Sequence, residues 1–290
     1  MAKAHLTTIT SWNMLHGEQI PPLSGANTGA NTPFDLTEKH LRIIASRLTS
    51  DVVGLQEVDA FQSRSGNVEQ IKFIAKEMGA KEFKFARTIV GTPGESWKKV
   101  GIIEEVLNPK DKKPSYGIGL ISRIPVKKWH TLPLGRSLIG LPLAIPGMKK
   151  NGKAGVKFIY VKDEPRIALA AELENGLTVA VTHLSFVPLF NLYQLWRVKR
   201  WLGALPGEHV LMGDLNLGWN LPIKTFFLKR RSWSTLAKIA TYPSWKAKIQ
   251  FDYLLTNSKK ITASSAQIST VIGNGRTYSD HLPITSSIKH

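Results

Sequence analysis

Apolar and polar positions alternate through HLTTITSWN, which predicts a first strand that begins close to residue 1 and ends at Asn13. After a Gly/Asn-rich loop, Asp35 with Glu38 three residues on marks a helix start, and Leu41, Ile44, Ala45 and Leu48 follow the 3.6-residue period. The run VVGLQ reads as a short buried strand ending at Glu57. A second helix carries Ile71, Ile74, Ala75 and Met78 and stops at Gly79, the place of a C-terminal cap glycine. Strands then dominate: EFKFARTIV, YGIGLISR, and RIALAAEL with LTVAVTHL about the Asn175-Gly176 hairpin signal. A helix returns through Leu192, Leu195, Trp196, Val198 and Leu202, followed by strands HVLMGD and FDYLL and a last strand within HLPITSSI. Crossovers mixed with hairpins suit a layered α/β sandwich of two sheets packed face to face and covered by helices.

No Pro/Ser linker, internal repeat or low-complexity tract interrupts the 290 residues, so 1–290 is expected to form one domain. Hydrophobic residues at 42% and charged residues at 21% exclude wholesale disorder. The absence of cysteine excludes disulfides, thiolate nucleophiles and thiolate metal sites, leaving oxygen and imidazole as ligands. The start, MAKAHLTTIT, lacks a signal-peptide run, and the apolar stretch Leu132–Met148 is broken by Arg136 and by prolines. A cytoplasmic protein is therefore expected. Lys and Arg number 39 against 21 Asp and Glu, a net charge of +18, which favours a polyanionic partner.

Polar words stand where the apolar strands run out: SWN gives Asn13, LQEVD gives Glu57, VTHLS gives His183, GDLN gives Asp214 and Asn216, FDY gives Asp252, and SDH gives Asp280 and His281. Taken singly, each has an ordinary reading as a turn, a dipole partner or a surface histidine. From His209 to the end, however, the acidic residues are Asp214, Asp252 and Asp280 alone, each in one of these words. Carboxylates thinned from every other position in that segment point to chemistry that a neutral residue cannot supply.

With these words in order, the chain resembles the endonuclease/exonuclease/phosphatase superfamily, the deoxyribonuclease I-like fold. The resemblance runs from SWNMLHG through LQEVD, GIGLISRIP, DEPRIALAAEL, VTHLS, LMGDLN and FDYLL to YSDHLP, and is nearest to the bacterial branch with EPR before a strand and a histidine in THL. It implies a four-layer α/β/β/α sandwich with two mixed sheets and the active site at one edge. It also implies Glu57 as the principal metal carboxylate, with Asn13 and Asp280 close by and Asp214 and Asn216 opposite, around the scissile phosphate. Such oxygen ligands select Mg²⁺ or Mn²⁺. His281, oriented by Asp252, is implied as general base, and His183 as holding a phosphate oxygen or protonating the leaving group. Whether Asp214 or His281 activates the water stays open at this point.

Arg166 in DEPR reads as a phosphate-positioning cation, with a salt bridge to Glu164 or Asp163 as its alternative. Asp59 has the place to orient a neighbouring donor, Arg64 reads as a solvated loop residue, and Ser122 and Arg123 read as structural. For the substrate, the acid-free stretches Lys127–Lys162 and Leu215–Phe251, the latter with Trp219, Trp233 and Trp245, favour nucleic acid and a nuclease, unless the tryptophans are core. LPLGRSLIGLPLAIPGMKKNGK, an apolar loop with a basic flank, and the apolar SFVPLFNLYQLW support a second reading, a lipid phosphodiesterase or inositol phosphatase at an anionic membrane. A third is a catalytically inactive binding module. No obligate protein partner is evident.

Overall fold

A computed structural model describes residues 5–20, 38–101, 106, 110–148, 154–224, 233–268, 272–273 and 276–290; Asp35 lies outside these. Two large sheets carry the fold. The seven-stranded sheet runs in the order Thr262–Ile268, Ile284–Lys289, Leu6–Asn13, Val52–Ala60, Ser115–Ser122, Glu82–Gly91, Trp97–Lys99. The six-stranded sheet runs Ser234–Thr235, Asp252–Thr256, Glu208–Asp214, Leu177–His183, Arg166–Leu173, Val126–Gly135. Each contains one parallel pair at its centre, Leu6–Asn13 with Val52–Ala60 and Leu177–His183 with Glu208–Asp214. A helix lies in each of those crossovers, Glu38–Arg47 and Phe190–Leu202. The Arg166–Leu173 and Leu177–His183 strands form the antiparallel hairpin predicted at Asn175-Gly176.

Strand alternation sends side chains to two different cores. Val52 faces the space between the sheets, where Ile9, Leu120, Leu169, Val181, Met212 and Leu254 are buried. Val53 and Leu55 face outward under the helices Glu38–Arg47 and Gln70–Glu77, against Leu41, Ile44, Ile71 and Ile74. On the far side, Leu195, Val198 and Leu202 of the Phe190–Leu202 helix cover Ala168, Ala180 and Leu211. The layers are therefore α/β/β/α, as expected. Arg123, although exposed at its own position, reaches the carbonyls of Leu48, Thr49, Ser50 and Met78 just past the ends of the two helices on one side. It thus serves as a shared C-terminal cap. Ser122 closes a local turn through Ile124. Gly54 lies where the sheets approach closely: a Cβ there would lie 2.7 Å from Met212 Cε and 2.9 Å from Val181 Cγ2.

Three features depart from the sequence reading. The Val52–Ala60 strand continues past Glu57, because a bulge between Leu55 and Val58 absorbs one residue. The stretch Leu132–Met148 is largely strand: Val126–Gly135 edges the six-stranded sheet, and Leu141–Met148 pairs with Ala154–Val161 in a separate two-stranded sheet. The last strand reaches Lys289. Among the described residues, no helix is long and apolar enough to cross a membrane.

Candidate active site

The two sheets present their polar words at one shared edge. In the six-stranded sheet the register places His183 beside Asp214 and Asp214 opposite Asp252, so three strand ends align three side chains in a row. The row depends on Gly213: at φ +145°, a Cβ there would stand 1.9 Å from the Thr182 carbonyl oxygen, so only glycine lets the strand approach its neighbour just before Asp214. In the other sheet, Asn13 ends its strand and pairs in register with Gln56. Glu57 occupies the bulge at φ +55°, a left-handed conformation rare for a non-glycine residue, which turns its carboxylate to the edge rather than into a core.

Asn13 joins the sheets. Its Nδ2 donates to Glu57 Oε1 at 2.8 Å and to Asp214 Oδ2 at 3.0 Å, while its Oδ1 accepts from Leu15 N–H. His281 Nδ1 is 2.8 Å from Asp252 Oδ2, and its Nε2 lies 3.6 Å from Asp214 Oδ2. His183 Nε2 lies 3.6 Å from the same Asp214 oxygen, on the side of Asn216. Asn216, at φ +50°, donates its backbone N–H to Asp214 Oδ1 and its Nδ2 to the Leu184 carbonyl. Asp280 acts on Glu57 by charge, and the adjacent Ser279 hydroxyl donates to the Asn13 carbonyl.

Charge balance follows from burial. Burial and the negative charges of Asp280 and Asp214 push the Glu57 carboxyl up to about 7, against the bond from Asn13. Burial also raises Asp214, opposed by His281. His281 loses some basicity to burial, yet Asp252, Asp214 and Asp280 outweigh this and raise it well above the ordinary range, so it holds its proton. His183, buried beside Arg166 and His281, is pushed well below and stays neutral.

Arg166 is buried and stands 3.7 Å from Asp163 Oδ1, and its Nε has no partner within the protein. The ion pair is therefore buried rather than at the surface, and it leaves one guanidinium donor free. Arg64 is not a solvated loop residue. It forks onto the fully buried Asp59 through Nε and Nη2, both at 2.9 Å, and its charge also reaches Glu57. Of the three tryptophans, Trp233 is core, Trp245 is partly covered and Trp219 is 82% exposed. Two aromatics escaped the sequence reading. Tyr242 packs its ring 5.0 Å from that of His281, and Tyr116 is buried next to the charges of Glu57, Glu164 and Arg166. Their only signal was, for Tyr242, proximity in sequence to Asp252 and, for Tyr116, its place as the first residue of the strand word YGIGLISR.

The donors fit a hard divalent ion. Glu57 feels the negative charges of Asp280 and Asp214, a repulsion that a cation relieves. Among the described residues, the group whose ligand atoms lie within 4.8 Å of one another is Asp214, Asp252 and His281, in which Asp252 and His281 already satisfy each other.

The model of the Endonuclease/Exonuclease/phosphatase family matches residues 10–281. A comparison with curated protein sequences yields no match. Among solved structures, the chain is similar to an endonuclease/exonuclease/phosphatase family protein from Bacteroides thetaiotaomicron, with 12% identity, TM-score 0.60, and 99% of this chain and 98% of that one covered. It is also similar to a mannosyl-6-phosphatase from the same species, with 13% identity, TM-score 0.58, and coverage of 97% and 98%. A third is TDP2 from D. rerio complexed with single strand DNA product, with 16% identity, TM-score 0.57, and 98% of each chain covered.

Proposed function

The chain belongs to the Endonuclease/Exonuclease/phosphatase family, and we propose that it works as one catalytic unit hydrolysing a phosphodiester with Mg²⁺ or Mn²⁺. The observation that carries this reading is the meeting of Glu57, Asn13 and Asp214 from two sheets with a His281–Asp252 pair at the same edge. Glu57 and Asp280 would hold the ion, with Asn13 and Asp214 beside them. Such an ion supplies charge neutralisation on the phosphate and a more acidic water.

The chain's own residues account for the proton movements. Asp252 fixes His281 by Nδ1, leaving Nε2 to face the substrate. Held between carboxylates, His281 is supported as a donor to a phosphate oxygen. Asp214, which accepts from Asn13 and from the Asn216 backbone, is then supported as the group that takes the proton of the attacking water. His183 and Asn216 bind another phosphate oxygen, and the unpartnered Nε of Arg166 adds a cationic donor. Divalent-dependent hydrolysis of bis-p-nitrophenyl phosphate tests this. Glu57→Ala and His281→Ala are each expected to lower it by ~100-fold or more. Inactivity of the wild type with Mg²⁺, Mn²⁺ and Ca²⁺ turns the reading to a binding module.

For the natural substrate, a nucleic acid is supported by the net charge of +18 and by the likeness to a structure holding DNA product. A lipid phosphoester is the second reading. The distribution of exposed apolar side chains favours it.

A further inference from the structure

The strand ends Gly135, His183 and Asp214, together with the strand start Arg166, all lie at the catalytic edge of the six-stranded sheet. The segments that leave this edge are 136–140, 184–196 and 215–220. Among the described residues, every large hydrophobic side chain that stands exposed, Leu6 excepted, lies on one of these segments or, for Tyr160, is bonded to one by its hydroxyl at Gly140 N–H. The tips are extreme: Leu138 is 92% exposed, Leu189 77% and Trp219 82%. Leu189 is also held at φ +66° and Trp219 at φ +52°, so backbone strain is maintained in order to project apolar groups into solvent.

The segments are braced rather than slack. Buried Asp163 accepts from Ser137 N–H and from the Ser185 hydroxyl through one oxygen, joining the first two. Asn191 donates to the Asn216 carbonyl, joining the second to the third. Positions 127–162, 184–202 and 215–251 contain no acidic residue, while Arg136, Arg200, Lys238, Lys246 and Lys248 are exposed there. We propose that this edge is a docking surface for an anionic lipid bilayer, with Leu138, Ile139 and Leu189 entering the acyl boundary, Tyr193 and Trp219 lying at headgroup depth, and the cations meeting lipid phosphates. The catalytic mouth then opens onto the membrane, and its substrate is a lipid headgroup phosphoester, an assignment that rests on the phosphoesterase reading above. At this rim the aliphatic tips favour a bilayer over nucleic acid: bases stack on aromatic rings and phosphates pair with cations, whereas leucine and isoleucine gain from hydrocarbon.

The test is co-sedimentation of the full chain with phosphatidylcholine vesicles, with and without phosphatidylserine, beside DNA binding and light scattering. The wild type is expected to bind the anionic vesicles and bind weakly to the neutral ones. Leu138→Ser combined with Leu189→Ser weakens vesicle binding ~10-fold or more with hydrolysis of soluble bis-p-nitrophenyl phosphate unchanged, since both side chains are exposed and outside the catalytic machinery. Equal vesicle binding by wild type and variant overturns the proposal. So does a variant that loses DNA binding instead, or a wild-type dimer that the variant dissolves. Vesicle binding without any phosphodiester hydrolysis retains the docking surface and removes the phosphoesterase reading.

Discussion

Glu57 combines a left-handed backbone with a carboxylate that is buried and feels the charges of Asp280 and Asp214, so its ionisation is unfavourable until a cation arrives. The folded chain keeps this proton up to about pH 7, whereas an unfolded glutamate releases it near 4.5. Between those values the folded state binds more protons at this position, and its contribution to stability falls as pH rises. His16, lowered to about 3, and His183 act in the opposite sense, so the clean observable is the difference between wild type and Glu57→Gln. In chelator, calorimetry is expected to show Glu57→Gln gaining on the wild type from pH 4.5 to 7, by ~1 kcal/mol or more at the upper end. Mg²⁺ is expected to raise the melting temperature of the wild type alone, with a proton released on binding below pH 7. A pH-independent gap would contradict this. At Asp252, whose Oδ2 alone is partnered, Asp252→Asn removes the charge that holds the His281 proton; turnover should drop ~100-fold or more with its pH profile displaced to lower pH.

At the scale of elements, two glycines make different demands. Gly54→Ala meets flexible Met212 and a Val181 methyl, and should cost ~1–3 kcal/mol in urea denaturation with activity retained. Gly213→Ala meets the Thr182 backbone and moves Asp214, so it should cost more and abolish turnover as well. The same contrast explains what was legible in sequence. Strands with both faces buried, such as RIALAAEL, and the 190–202 helix declared themselves through period and turn chemistry, and the polar words at their ends carried most of the site. The Glu57 bulge did not, because both faces of that strand are buried and VVGLQEVDA has no alternation in which one extra residue would show. Nor did the Arg64 fork onto Asp59, which depends on the tight turn at 63–65 folding back on the strand that precedes it, or the Tyr242 contact with His281, which joins segments far apart in sequence. The strand pair Leu141–Met148 and Ala154–Val161 was concealed by prolines, which an isolated two-stranded sheet tolerates because its outer edges need no ladder partner.

For the molecule as a whole, a charge of +18 predicts that capture of any polyanionic surface or polymer weakens steeply with added salt, whereas hydrolysis of a small soluble diester changes little. Paired titrations at low and high ionic strength check this, and equal salt sensitivity would contradict it. The row His183–Asp214–Asp252 is set by the hydrogen-bond ladder of adjoining strands in the middle of a covered sheet. A site spaced by that ladder has no private hinge and cannot loosen ahead of its scaffold. Heat should therefore switch the molecule off at a single temperature, with loss of turnover and loss of native ellipticity tracing the same curve.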